Sequence, residues 1–410
     1  MAAVAATTLL LGGIGGRRGD AASAPAAAAL AAAPGSLAQL QAEVRRAPTS
    51  RGYALLGLAY EQRARETGDA SWYARADGVL RRADADDPLA VVARGSLALS
   101  RHEFRAALAL GDDAVRLAPA SARGYGIRGD ALVELGRYRE AFRTFDEMVS
   151  LRPGASSYAR VSYARELLGD IRGAIAAMRL AVDAAEGQPE PFAWSAVQVA
   201  KLFWARGGLA AAESWYREAL RVVPSYPYAL DGLAQIEAAR GRLARATALE
   251  RRAAEAVPQP QFVTMLGDLY AVSGRPAAAR RQYRLVAAIR RLLAANGVRS
   301  DLEAAAFDVD HGIALRSAVV EARSARNARP SIDGDDVLAW ALARNGRCTE
   351  ALAWSKRSLR LGTRDAVKFF HRGMIERCLG RAAAGTWFRR ALALNPHFSL
   401  LWAPVARRYA

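Results

Sequence analysis

From Tyr125 onward the apolar positions fall at Tyr125, Gly129 and Leu132, and again at Ala141, Phe145 and Met148. Steps of three and four place each set on one face of a helix. Between the sets stands Gly136, which supplies the left-handed conformation that stops a helix. Pro153, twelve residues after Ala141, cannot continue the second helix and restrains the residue before it. The stretch YGIRGDALVELGRYREAFRTFDEMVSLRP therefore predicts two amphipathic helices around a glycine turn. Gly129 and Ala141 let the two helices approach closely, and Phe145 fills the space between them. One such hairpin cannot bury its apolar face alone; stacked copies can.

The pattern recurs from about residue 50 to residue 399. Small residues equivalent to Ala141 stand at Ala76, Ala107, Ala174, Ala212, Ala246, Ala279, Ala318, Ala351 and Ala384, with gaps of 31 to 39 residues. A proline follows twelve residues after most of these markers, at Pro88, Pro119, Pro153, Pro224, Pro258, Pro330 and Pro396. Alanine is common throughout the chain, but the joint Ala-to-Pro spacing seven times over is hard to reach by chance. The pattern resembles the tetratricopeptide repeat, with its Leu-Gly, Ala-x-x-x-Phe and terminal Pro, over about 350 of the 410 residues. That resemblance implies an all-α, right-handed superhelical solenoid of about ten helix pairs. First helices would line a concave groove and second helices the outside, and ten copies would exceed one superhelical turn.

Irregular copies mark where the superhelix should bend. The first carries a longer turn, GDASWYA, and the fourth ends in EGQPEP. The seventh has an overlong second helix, from Pro276 to about Asn296, and the eighth lacks a turn glycine in the usual place, although Gly312 lies nearby. Residues 37–399 are assigned to the solenoid, with Leu37 to Arg46 as a short amphipathic cap. Residues 400–410 complete a C-terminal cap, HFSLLWAPVARRYA, over the last pair. Residues 1–36 stand apart. AAVAATTLLLGGI is too short to span a bilayer comfortably, and an Ala/Pro-rich spacer follows, which reads as a secretory signal and predicts an exported or envelope protein. No positive charge precedes the apolar run, so a cytoplasmic protein with an Ala-rich tail is the alternative.

The resemblance makes the inner slots, equivalent to Arg123, Gly126, Asp130, Val133 and Glu134, the place to look for function. Read across ten repeats, they hold eleven acidic and five basic residues. The groove is thus expected to carry about −6 while the rest of the chain carries about +24, within a net charge of +18. Candidate partner-binding residues are Asp130, Glu134, Tyr163, Glu166, Trp194, Lys201, Trp204, Tyr228, Asp231, Asp268, Phe307, Asp310, Asp336 and Trp340. Trp and Tyr bury large area at low entropic cost, so Trp194, Trp204 and Tyr228 beside Lys201 and Asp231 form the expected pocket. The guest is a peptide or protein segment, one carrying positive charge. Family members that bind chaperone tails clamp them with Lys, Arg and Asn on these slots; no Asn stands in any of them here.

Net positive charge also raises a nucleic-acid reading, and the densest basic patch is Arg280, Arg281, Arg284, Arg290 and Arg291 with Tyr283 among them. These fall on a second helix, on the outside, and the acidic groove argues against nucleic acid inside. A regulator using the basic outer face is the alternative function. Cys348 and Cys378, the only cysteines, sit at the same end of adjacent hairpins, where a bridge is sterically plausible. Such a bridge would contribute roughly 3 kcal/mol. His102, His311, His371 and His397 are scattered, without the i, i+4 pairing of a helical zinc motif. No phosphate loop, nucleophile elbow or dinucleotide fingerprint is present, so the chain reads as non-enzymatic and free of cofactors and metals.

Overall fold

The computed structural model describes residues 35–410, so the signal-like segment lies outside the described residues except for its last two positions. Twenty-two helices follow one another, and no strand occurs among the described residues. A capping helix, α1 (Gly35–Arg46), precedes the first pair, α2 (Ser50–Thr67) and α3 (Ser71–Leu80). The next pairs are α4 (Pro88–Ser100) with α5 (Phe104–Leu117), α6 (Ala122–Glu134) with α7 (Tyr138–Leu151), and α8 (Ala155–Leu167) with α9 (Ile171–Ala184). The middle pairs are α10 (Pro189–Ala205) with α11 (Leu209–Val222), α12 (Pro227–Ala239) with α13 (Leu243–Ala256), and α14 (Pro260–Val272) with α15 (Pro276–Ala295). Three more complete the array: α16 (Asp301–Asp310) with α17 (Leu315–Ala328), α18 (Ile332–Arg344) with α19 (Cys348–Ser358), and α20 (Ala366–Cys378) with α21 (Ala383–Leu394). The chain ends in α22 (Ala403–Tyr409).

Each pair is built as its pattern requires. Phe145 is 1% exposed, and a Cβ added at Gly129 would collide with its ring, so the missing side chain is what lets α6 seat on α7. Burying such a ring contributes about 1.5–3 kcal/mol. Nine of the ten marker alanines are buried; Ala384, in the last pair, is only partly so. The anticipated departures are present: α15 runs 20 residues, and Gly312 does form the turn of its pair, with φ +68°. One substitution for glycine was not anticipated. His102 occupies the left-handed position, φ +60°, in the turn between α4 and α5. Its ring Nδ1–H donates to the Arg299 carbonyl at 2.6 Å, a bond that holds a conformation normally costly for a side chain.

That bond belongs to a larger arrangement. The right-handed superhelix closes so tightly that its second turn rests on its first. The glycine turns inside pairs meet the loops between pairs at sequence separations of 191–197 residues. The Arg299 N–H donates to the Arg101 carbonyl at 3.0 Å, and the Ile332 N–H to the Tyr138 hydroxyl at 2.7 Å. Thr363 donates to the Leu167 carbonyl, and Asn395 Nδ2 to the Trp204 carbonyl at 2.9 Å. Ile332 also enters the apolar core that α6 to α12 share. Successive turns are therefore zipped along one edge, and the inward faces of both enclose a common interior.

The ends are closed too. Leu40 and Val44 of α1 pack with Tyr53 and Ala54 of α2. At the other end Tyr409 of α22 rests against Phe388, with the Arg377 guanidinium 3.9 Å from its ring centre. Cys348 and Cys378 are joined, their Cα atoms 6.2 Å apart. No helix among the described residues is long and apolar enough to cross a membrane.

Candidate functional site

The inner slots prove to be more engaged with the protein itself than their spacing predicted. An acidic residue on one first helix is repeatedly met by a donor on the next. Arg160 of α8 clasps Asp130 of α6 with two bonds, at 2.9 and 2.6 Å. Lys368 of α20 sits 2.5 Å from Asp333 of α18 and 3.1 Å from Asp365. His371 donates from Nδ1 to Asp336 at 2.9 Å while its ring stacks on Trp340. Trp340 Nε1 donates to Asp310 at 2.8 Å. His311 donates from both ring nitrogens, to Asp268 and to the Phe307 carbonyl, each at 2.8 Å. Burial works against charging that ring, but the hydrogen bond and charge of Asp268 outweigh it and raise its pKa.

Glu134 is met from farther away. Arg329, 195 residues on and 4% exposed, bonds Glu134 through Nε and Glu303 at 2.7 Å through Nη1, tying α6 to α16 across the zipped turns. Both carboxylates hold the guanidinium charged despite its burial. Asp130, Glu134, Asp336 and Trp340 are thus buried and partnered within the chain, as Asp268 is, although the sequence offered these slots to a partner. The reason is the closeness of neighbouring helices and of the second turn, which bring cations onto acids that the linear pattern shows alone.

The other ten candidates line two adjoining cavities. One, of about 220 Å³, is walled by Tyr163, Glu166, Trp194, Lys201, Trp204 and Asp231, with Gln198, Tyr216 and Lys368. A second, of about 300 Å³ and largely apolar, includes Tyr228, Asp268, Phe307 and Asp310 with Arg65, Leu400 and Trp402. Phe398 and Gln261 border both. The first carries unmet hydrogen-bonding capacity. Trp194 is 3% exposed and among the described residues its Nε1–H has no partner, nor has the Gln198 amide nitrogen. Lys201 makes no ion pair within 4 Å among the described residues; its ammonium stands 6.0 Å from the Tyr228 ring centre. Residues 194, 198 and 201 share one face of α10, so three donors converge on the cavity. Burial lowers the Lys201 pKa. Burial, with the charges of Asp365 and Asp333, raises Glu166 to about 7.

Sequence reading missed Gln198, Arg160, His371 and Arg329. For Arg160 and His371 a signal exists: each base stands 30 to 35 residues after its acid, one repeat on. For Arg329, placed just before Pro330, no such signal exists. The basic outer patch divides: Arg280, Arg281, Arg284 and Arg291 are exposed, while Arg290 pairs with Asp308 at 3.1 Å and Tyr283 turns inward to Asp268.

Glu61 offers a measurable consequence. It is fully buried on α2, accepts from the Ser96 hydroxyl at 2.7 Å, and burial raises its pKa from 4.5 to about 7. The folded chain therefore holds a proton between those values that the unfolded chain releases. Stability is complete below the unfolded value and declines as pH rises toward about 7. Glu61→Gln is expected to remove the Glu61 share of that decline, Glu166 keeping its own, and to stabilise at pH 8 by up to about 3 kcal/mol. Denaturant titrations at pH 5 and pH 8 read the difference; an unchanged slope would refute it.

The stacked pairs, with small residues buried where their helices cross and a left-handed turn between the two helices, settle the architecture. The fold is that of tetratricopeptide-repeat proteins. The chain matches no family model and no curated protein. It is similar to the solved structure of PilW, described as a widely conserved type IV pilus biogenesis factor. The identity is 18% over 49% of this chain and 92% of that one, with a TM-score of 0.41. It is also similar to PilF of Pseudomonas aeruginosa, at 14% identity over 48% and 88% of the two chains, TM-score 0.40. Against the Cut9–Hcn1 structure the identity is 13%, with 95% and 99% of the chains covered and a TM-score of 0.34. Resemblance this distant assigns no function to the repeat array.

Proposed function

We propose that this protein is a non-catalytic scaffold that takes a peptide or protein segment into the superhelix, at the cavity between Trp194, Lys201, Trp204 and Asp231. The observation that carries the reading is the pair of donors on α10, Trp194 Nε1 and Gln198 Nε2, left without partners among the described residues beside the Lys201 ammonium. Buried unmet donors cost free energy, and an extended peptide presents carbonyl acceptors at regular spacing that would meet them. Beside them Glu166 and Asp231 offer carboxyl groups to a basic side chain, and Trp204 and Tyr216 supply aromatic walls.

Trp204 and Tyr228 stand on neighbouring first helices, and both are partly accessible. The double substitution Trp204→Ala, Tyr228→Ala is expected to weaken partner capture from native extract by roughly tenfold or more while leaving far-ultraviolet helicity intact. Quantitative comparison of captured proteins between wild type and variant tests this. An unchanged capture profile with a folded variant would remove the cavity from consideration.

A further inference from the structure

The chain's own tail enters the interior it encloses. After α21 the segment His397–Trp402 leaves the last helix pair and crosses the inner face instead of continuing outward. Phe398, 6% exposed, packs on Phe370 with ring centres 5.6 Å apart, and its far side borders both cavities. Leu400 packs against the cluster of Ala238, Ala246, Met265 and Leu269, on repeats far from the tail in sequence. Trp402 stands edge-on to Trp340 and beside Phe370, and its Nε1–H donates to Asp310 at 3.1 Å, the carboxylate that also receives Trp340. Arg344 lies 5.1 Å from the Trp402 ring centre. Asp310, Phe307 and Trp340 are inner slots, the positions where a guest would be read in the second superhelical turn.

The segment engages these slots in the manner of a bound peptide. It is not helical between Asn395 and Trp402, and it anchors through alternating side chains; from Phe398 to Trp402 one hydrogen bond to the groove is formed, at Asp310. It also fits incompletely, since about 300 Å³ of largely apolar space remains open beside Phe398. Unfilled apolar volume forfeits packing energy, so an occupant that fills it can displace one that does not.

We propose that residues 397–402 are an intramolecular occupant of the peptide groove, and that the guest they hold off has the same pattern. That guest is a peptide with an aromatic residue, then an aliphatic pair two positions on, then an indole that donates to Asp310. The proposal rests on the scaffold reading above and fails separately from it. Loss of that reading shows as unchanged capture by the Trp204/Tyr228 variant, whereas this one is decided by binding of the tail in trans.

The test uses the full chain carrying Phe398→Ser and Trp402→Ser, and a fluorescein-labelled synthetic peptide NPHFSLLWAP, residues 395–404, followed by fluorescence anisotropy. Wild-type protein, its groove filled in cis, is expected to leave the peptide free; the double variant is expected to bind it. A control peptide with Ser in place of Trp402 should bind at least about tenfold more weakly. A helical double variant that ignores the peptide overturns the proposal, and so does a wild-type chain that binds as well as the variant. If the double variant does not fold, Trp402→Phe, which keeps the ring and removes the donor to Asp310, is expected to bind the peptide where wild type does not. Absence of binding there is equally decisive.

Discussion

Gly136→Ala is expected to destabilise the protein by about 2–5 kcal/mol and to loosen its superhelix, although the substitution lies in an exposed-looking turn. Two costs combine. Gly136 adopts φ +69°, a left-handed conformation that costs a side chain about 1–2 kcal/mol. A Cβ there would also stand closer than 3.0 Å to the Pro330 carbonyl oxygen, in the second superhelical turn, and such overpacking costs about 1–3 kcal/mol more. Gly274 provides the control. It has the same role in its own pair and φ +71°, but nothing lies within 4 Å of a Cβ built on it. Gly274→Ala should therefore show only the conformational cost. Small-angle scattering separates the two, with a larger radius of gyration expected for Gly136→Ala alone. Equal stability losses and equal radii would mean that the zipped turns do not constrain the superhelix.

Arg329→Ala is expected to cost about 3–5 kcal/mol, because it strands Glu134 in the interior without its cation. The Glu134 side chain is 6% exposed, and Arg329 is the partner that bonds it. Glu303 loses its ion pair with Arg329 as well, at a site 26% exposed where water can partly compensate. In the double variant Arg329→Met, Glu134→Leu most of the loss should be recovered, since removing both buried charges also removes their desolvation cost. Chemical denaturation of Arg329→Met, Glu134→Leu and the double variant completes a cycle, whose coupling energy measures the turn-to-turn tie. A coupling near zero would show that the pair contributes nothing across the seam.

The repeated helix pair was legible in the chain, apart from the His102 turn of the second pair. Ala141, Phe145 and Pro153 each act within some thirty residues, and a periodic pattern reports faithfully on contacts of that range. Lengths, turns and even the overlong α15 followed from it. The candidate site was legible only as a set of inward positions. Trp194, Lys201 and Trp204 line a cavity, but so does Gln198, an uncharged residue that neither composition nor charge patterning singles out. Asp130 and Asp336 read as open acids because the pattern gives the face a residue occupies and says nothing of what covers that face.

Periodic spacing by itself determined that this chain forms stacked helix pairs, where each pair turns, and which side chains look inward, because helix geometry converts sequence distance directly into direction. Tertiary structure alone decided which of those inward groups remain available. Small rotations accumulate from pair to pair until residues almost two hundred positions apart come into contact, as Arg329 does with Glu134 and Ile332 with Tyr138. The sum of those rotations depends on every interface along the superhelix, and no local stretch of sequence encodes it.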